Sequence, residues 1–273
     1  MTVFEEMLNS YRLPDGSISR NAEQEAMQLI ALAGLHRGGF FQHAAFYGGT
    51  CLRIFHQLPR FSEDMDFSLI KKDSDVHLED FFPAIIEEFH LSGYEVEIVK
   101  KDKKFFGRVE SAFLKENTEA YDIKFQTKKT TKVKIELDID PPMEFQTENL
   151  SLVRPYVFMT RCYTLPCLYA GKMNALVYRK WQHRIKGRDW YDFEWYVRHG
   201  VRLNFHHLQE RIHEFEGGDI GKKQFMNQLR ERLGSANIEA VKMDVVNFID
   251  NPHEIDHWTN EYFLTLADHI IFQ

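Results

Sequence analysis

The part of this chain that most limits its fold is the stretch from residue 44 to residue 70. A short apolar run, Ala44 to Tyr47, enters Gly48-Gly49-Thr50. The spacing that follows predicts a short helix over 51–58, which Pro59 ends, and then a strand over 65–70 opened by Asp64-Met65-Asp66. Strand, glycine turn, short helix and acidic strand within so few residues leave little freedom in how the backbone is arranged.

Each part of the stretch suggests chemistry. Glycines lack Cβ atoms, so Gly48 and Gly49 let the backbone approach a phosphate, and the helix start offers free N–H donors. Thr50 adds a hydroxyl. The period-2 geometry of a strand puts Asp64 and Asp66 on one face. Two carboxylates that close repel unless a cation lies between them, and Mg²⁺ (or Mn²⁺) takes one or two carboxylates together with phosphate oxygens. The arrangement suits a metal-bound nucleoside triphosphate reacting by in-line displacement at its α-phosphate.

Residues 21–37 read as a helix stopped at Gly38-Gly39, and 77–91 as another ending at Gly93. Strand-like segments follow at 94–99, 105–114 and 131–140. The last alternates, with Val133, Ile135, Leu137 and Ile139 on one face and Lys134, Glu136, Asp138 and Asp140 on the other. The Gly-Gly turn followed by Asp-x-Asp resembles the polymerase-β-like nucleotidyltransferases, and that resemblance implies a third carboxylate on a neighbouring strand, Glu136 by its central place or Asp138 as the alternative. After Pro155 helical periods take over at 165–183, 187–199, 204–216, 221–233, 236–250 and 254–271. The expected architecture is α+β, with a mixed-sheet domain over 1–155 and an all-helical domain over 156–273. The many phenylalanines sit at periodic positions and read as core.

A second chemical cluster lies on the predicted helices. Lys172 precedes the run Arg184-Ile-Lys186-Gly-Arg188-Asp189-Trp190-Tyr191-Asp192. On a helix Asp189 and Asp192 share a face, and Arg188 can pair with Asp192 at i,i+4. The 273 residues carry 34 Lys and Arg against 41 Asp and Glu, a net −7. This total argues against a generic basic DNA-coating protein. It hides a division, because residues 51–100 sum to −6 and residues 151–200 to +6. Metal on one wall of a cleft and phosphate contacts on the other would produce that pattern.

The three cysteines, Cys51, Cys162 and Cys167, form neither a disulfide framework nor a CxxC zinc motif. The charged start MTVFEEMLNSYR lacks the apolar run of a signal peptide, and no window has the length or hydropathy to span a membrane. A reducing, cytoplasmic setting is the expectation.

The Gly-Gly turn followed by Asp-x-Asp resembles the signature of the polymerase-β-like nucleotidyltransferase superfamily. With Leu52-Arg53, with Arg60-Phe61-Ser62-Glu63-Asp64-Met65-Asp66-Phe67, with Lys172 and Ala175, and with the run 184–192, the chain is similar to the AbiEii/AbiGii-type nucleotidyltransferase toxins. The resemblance implies a polymerase-β-like catalytic domain followed by a helical domain, binding of a nucleoside triphosphate with Mg²⁺, and nucleotidyl transfer to an acceptor such as RNA or a tRNA end. It also implies a bacterial type IV toxin–antitoxin or abortive-infection system, with a cognate antitoxin encoded nearby. Carried over residue by residue, Gly48, Gly49 and Thr50 hold phosphates and Asp64 and Asp66 carry metal, with Glu136 as third ligand. Lys172 contacts the triphosphate and Asp189 is an essential acid. Arg60, Ser62, Arg188 and Asp192 complete the nucleotide contacts. The family's central Asp-Ile-Asp is here Asp-Met-Asp.

Other readings use the same residues. A non-catalytic NTP- or RNA-binding module would have no need of two adjacent carboxylates, while a phosphotransferase would use the same parts to move the γ-phosphate. A zinc hydrolase is disfavoured because His206-His207 and His253 with His257 lack an accompanying Glu motif. Arg184 and Lys186, widened by Lys100, Lys101, Lys103, Lys104, Lys124, Lys128, Lys129, Lys132 and Lys134, offer a surface for an acceptor nucleic acid.

Overall fold

A computed structural model describes residues 2–11, 16–73, 75–101, 118–126, 131–179 and 185–273. The chain divides into two compact units. The first holds residues 1–57, 61–141 and 147–162, and the second holds 58–60, 142–146 and 163–273.

In the first unit α1 (Val3–Asn9) and α2 (Arg20–Arg37) lead into β1 (Ala44–Tyr47), α3 (Gly48–His56) and β2 (Asp64–Leu69). Then come α4 (Phe82–Leu91), β3 (Val96–Lys100), β4 (Thr118–Phe125), β5 (Lys132–Asp138), β6 (Thr147–Leu152) and β7 (Phe158–Tyr163). The seven strands form one mixed sheet in the order β3-β4-β5-β2-β1-β7-β6. β2 lies antiparallel to β1 and parallel to β5, which puts the acidic strand at the sheet's centre.

Alternation fixes which face is core. Met65 and Phe67 of β2 and Val133, Ile135 and Leu137 of β5 are fully buried, and Phe46 stacks on Phe67 with ring centroids 4.9 Å apart. α2 is capped by the Ser19 side chain and is buried on nearly all sides, so its apolar residues form no single stripe.

Several expectations shift. The helix predicted over 77–91 divides into a 3₁₀ turn, Leu78–Phe81, and α4, because the ring of Pro83 clashes with the carbonyl four residues back and must lie in a helix's first turn. β4, β6 and β7 carried no reading in the sequence, and the strand expected over 105–114 lies outside the described residues. β7 pairs in parallel with β1 through Phe46 and Cys162, so the sheet continues past residue 155.

The second unit contains α5 (Leu165–Tyr178), α6 (Arg188–Arg198), β8 (Arg202–Leu203), α7 (Phe205–Glu216), α8 (Lys222–Ser235), α9 (Ile238–Val245), α10 (Asn260–Ala267) and β9 (Ile271–Phe272). It is not purely helical, since β8 and β9 form a parallel two-stranded ribbon. The long helix expected over 254–271 is broken at Trp258-Thr259, where Thr259 accepts from the Tyr262 amide and starts α10 afresh. Among the described residues no helix is long and apolar enough to cross a membrane.

Candidate active site

α3 begins at Gly48 itself, so the glycine pair forms the helix's first turn rather than a loop before it. Gly48 has φ +83°, and a Cβ there would collide with Oδ2 of Asp66 and lie 3.1 Å from its Cγ. The Asp66 carboxylate therefore fills the space a side chain at 48 would need. Thr50 is fully buried and its hydroxyl donates to the Asp64 carbonyl. The sequence reading gave this hydroxyl to a phosphate; it instead fixes the acidic strand against the helix start.

The sheet register aligns Asp66 with Glu136, and Asp64 with Lys134. Paired residues on neighbouring strands share a face, so three carboxylates and one ammonium stand together opposite the core side chains. Lys134 Nζ lies 2.7 Å from Oε1 of Glu136, an oxygen that is buried and accepts no hydrogen bond of good geometry. Burial first, and the Asp66 charge second, push the Glu136 carboxyl up to about 7 against the pull of Lys134. Lys134 keeps its proton firmly despite burial, because Asp64 and Glu136 face it. Asp138, the alternative third acid, pairs in register with Ser68 instead and accepts the Asp140 amide.

The donor set suits a hard divalent cation, since Asp64, Asp66 and Glu136 offer carboxylate oxygens on one face of adjacent strands. Among the described residues no three His, Cys, Asp or Glu side chains converge as a finished metal site.

Two residues that hold this face had no signal in the sequence. Gln28 donates to the carbonyls of Ser62 (2.9 Å) and Glu63 (3.0 Å), and Gln24 donates to those of Glu63 (3.1 Å) and Lys132 (3.0 Å). One turn apart on α2, they clamp the entry of β2 and the start of β5. Ser62 enters this arrangement through its carbonyl.

The second unit gathers the other predicted residues. Arg60 makes a bidentate pair with Asp192, Nε to Oδ1 at 2.6 Å and Nη2 to Oδ2 at 2.7 Å, with both side chains buried. Lys172 Nζ sits 2.7 Å from Asp192 and 3.0 Å from Asp189, and Arg179 approaches Asp189 at 3.5 Å. Burial alone would raise Asp189, yet Lys172, Arg179 and Lys186 hold it well below the ordinary carboxylate range. Arg60 and Lys172 likewise keep Asp192 low against its burial.

The expected Arg188–Asp192 pair is replaced. Asp192 is taken by Arg60 and Lys172, and the Arg188 guanidinium stacks over Phe248 at 3.9 Å. A Cβ on Gly187, just before α6, would collide with the Val241 carbonyl, so only glycine allows that approach. Lys186 is desolvated, and burial together with Arg179 pushes it down to about 7. It is half-buried beside Lys172, Arg179, Arg188 and Asp189.

Arg184, Lys103, Lys104, Lys128 and Lys129 lie outside the described residues. Of the other lysines in that surface, Lys101 and Lys132 pair with Asp122, Lys100 with Glu79 and Lys134 with Glu136, so their charge is largely matched. Among the described residues the histidines do not gather into a metal site. His207 is buried with Nδ1 3.3 Å from the Met143 carbonyl, His253 pairs with Asp256 and His257 with Glu194.

Two solved structures share the fold. A candidate nucleotidyltransferase from Helicobacter pylori aligns with a TM-score of 0.53 at 19% identity, covering 92% of this chain and 95% of its own. JHP933 from Helicobacter pylori aligns with a TM-score of 0.52 at 17% identity, covering 92% of each chain. No curated protein matches the chain. Residues 30–264 match the model of the family described as nucleotidyl transferase AbiEii toxin, type IV TA system, and the chain belongs to that family.

Proposed function

We propose that the protein transfers a nucleotidyl group from a nucleoside triphosphate to an acceptor hydroxyl. The observation that carries this reading is the register of β2 against β5, which sets Asp66 beside Glu136 and Asp64 on the same face, next to the side-chain-free start of α3. In the reaction the acceptor oxygen bonds to the α-phosphorus, the bond to the β-phosphate oxygen breaks, and pyrophosphate leaves. Glu136, whose carboxyl is raised to about 7, takes the acceptor's proton. Asp64, Asp66 and Glu136 would hold Mg²⁺ or Mn²⁺, which when bound offsets charge on the phosphates.

Lys172, Arg179 and Lys186 converge on Asp189, and such a cluster of cations suits a polyphosphate. RNA is the acceptor class the family suggests, and a cognate antitoxin is the proposed partner. The three cysteines are free and buried, in keeping with the reducing cytoplasm as its setting.

The test is incubation with each NTP, labelled at the α- or the γ-phosphate, and total RNA in Mg²⁺. Attachment of the α label with release of pyrophosphate supports the reading. Attachment of the γ label alone would make the protein a phosphotransferase and overturn it.

A further inference from the structure

We infer that Lys134 is a resident counter-ion of the acidic face, which lets that face fold without metal and must give up Glu136 before a divalent cation binds. This rests on the proposed metal-dependent transfer and concerns how the same face is loaded.

The argument starts from charge. Asp64, Asp66 and Glu136 put three negative charges on adjacent central strands, and the Glu136 and Lys134 side chains are only 14% and 17% exposed. A partly desolvated trio of like charges is costly unless a cation accompanies it. The chain supplies one itself. Lys134 lies two residues before Glu136 on β5, and so on the same face, while its register partner is Asp64. Its ammonium touches Glu136 at 2.7 Å.

A consequence follows for loading. A divalent cation held by Asp64, Asp66 and Glu136 takes over all the carboxylates that share a face with Lys134, and the displaced ammonium then needs another anion. A bare cation brings none, whereas a cation arriving with a triphosphate brings several. Lys134 therefore acts as a positioning residue that suppresses metal binding until nucleotide is present, so that cation and nucleotide load together.

Mn²⁺ binding, followed by the electron paramagnetic resonance of the free ion, tests this without recourse to turnover. Without nucleotide, Lys134→Met is expected to bind Mn²⁺ at least tenfold more tightly than the unmodified protein, while Lys134→Arg, which keeps the charge, stays close to it. Adding ATP should narrow the gap by tightening the unmodified protein more. In EDTA the Lys134→Met protein should melt at lower temperature, and Mn²⁺ should restore it. Lys134→Gln, which keeps a polar head without charge, provides the same comparison should Lys134→Met not fold. A cooperatively melting uncharged variant that binds Mn²⁺ no better than the unmodified protein would overturn the role of Lys134. Mn²⁺ binding that survives Asp66→Asn, or its absence from every protein even with ATP, would instead overturn the metal reading on which the role rests.

Discussion

Gly48 and Asp66 compete for one volume: the Asp66 carboxylate occupies the position that a side chain on residue 48 would take. Gly48→Ala therefore meets two penalties, a positive φ costing about 1–3 kcal/mol and a displaced carboxylate. Urea denaturation should show that loss of stability. NTP turnover, measured where the variant remains folded, should fall much further, by tenfold or more. Turnover at the level of the unmodified protein would show that Asp66 has no need of its present position.

Asp66→Asn separates chemistry from stability in the opposite sense. The Asp66 charge helps raise Glu136 to about 7. A carboxyl raised in the fold binds a proton that the unfolded chain releases near the ordinary value of 4.5. Its contribution to stability is thus complete below that value and lost as pH rises through about 7. Removing the neighbouring charge should flatten this slope. Urea denaturation of metal-free protein at pH 5 and pH 8 should show Asp66→Asn at least as stable as the unmodified protein at pH 8, while metal-dependent NTP turnover is abolished. Retained turnover would reject the proposed mechanism.

The sequence made the acidic strand legible because both of its signals are local. A glycine pair after an apolar run and a period-2 pair of acids are each set by neighbours along the chain. The alternation on β5 was equally plain, and it led to Glu136 as the central acid. Less visible was anything decided by partners far away in sequence. Strand β6 has no fully buried residue, so no apolar face announced it. Gln24 and Gln28 are unremarkable on a helix until the β2 entry is placed beside them. Arg188 was matched to Asp192 by helical spacing, but Arg60, distant in sequence, offers a bidentate fork to the same carboxylate, and Phe248 takes the Arg188 guanidinium instead.

That fork leads to a prediction about Arg60. The family resemblance makes it a nucleotide contact, while the structure gives its Nε–Nη2 edge to Asp192. Breaking a buried pair by removing one partner leaves the other charge uncompensated, at a cost of about 3–5 kcal/mol. Arg60→Met should lose that much by urea denaturation. Arg60→Lys should recover only part of it, since an ammonium cannot form the two parallel bonds. NTP affinity of the folded fraction, by calorimetry, should change less than threefold. A large loss of affinity with little loss of stability would return Arg60 to the nucleotide.

Lys186 should show the reverse balance, because its ammonium is desolvated among Lys172 and Arg179 of α5 and its C-cap, Arg188 and Asp189 of α6, and, facing Asp189 from α8, Arg232. Its proton is weakly held, at about 7, while the unfolded chain holds one up to about 10.5. The unfolded state binds more protons across that range, so the penalty is greatest at and below pH 7 and fades as pH rises towards 10.5. Lys186→Met should thus stabilise the protein at pH 7 by about 1–3 kcal/mol, with a smaller gain at pH 9. Such a costly lysine makes sense if an anion arrives to hold its proton. Triphosphate binding at pH 8 should then take up a proton, seen as a binding enthalpy that varies with the buffer's ionisation enthalpy, and Lys186→Met should lose that uptake along with at least tenfold in affinity. A variant that gained stability while keeping both its affinity and its proton uptake would remove Lys186 from the phosphate site and leave Lys172 and Arg179 to bind the chain of phosphates.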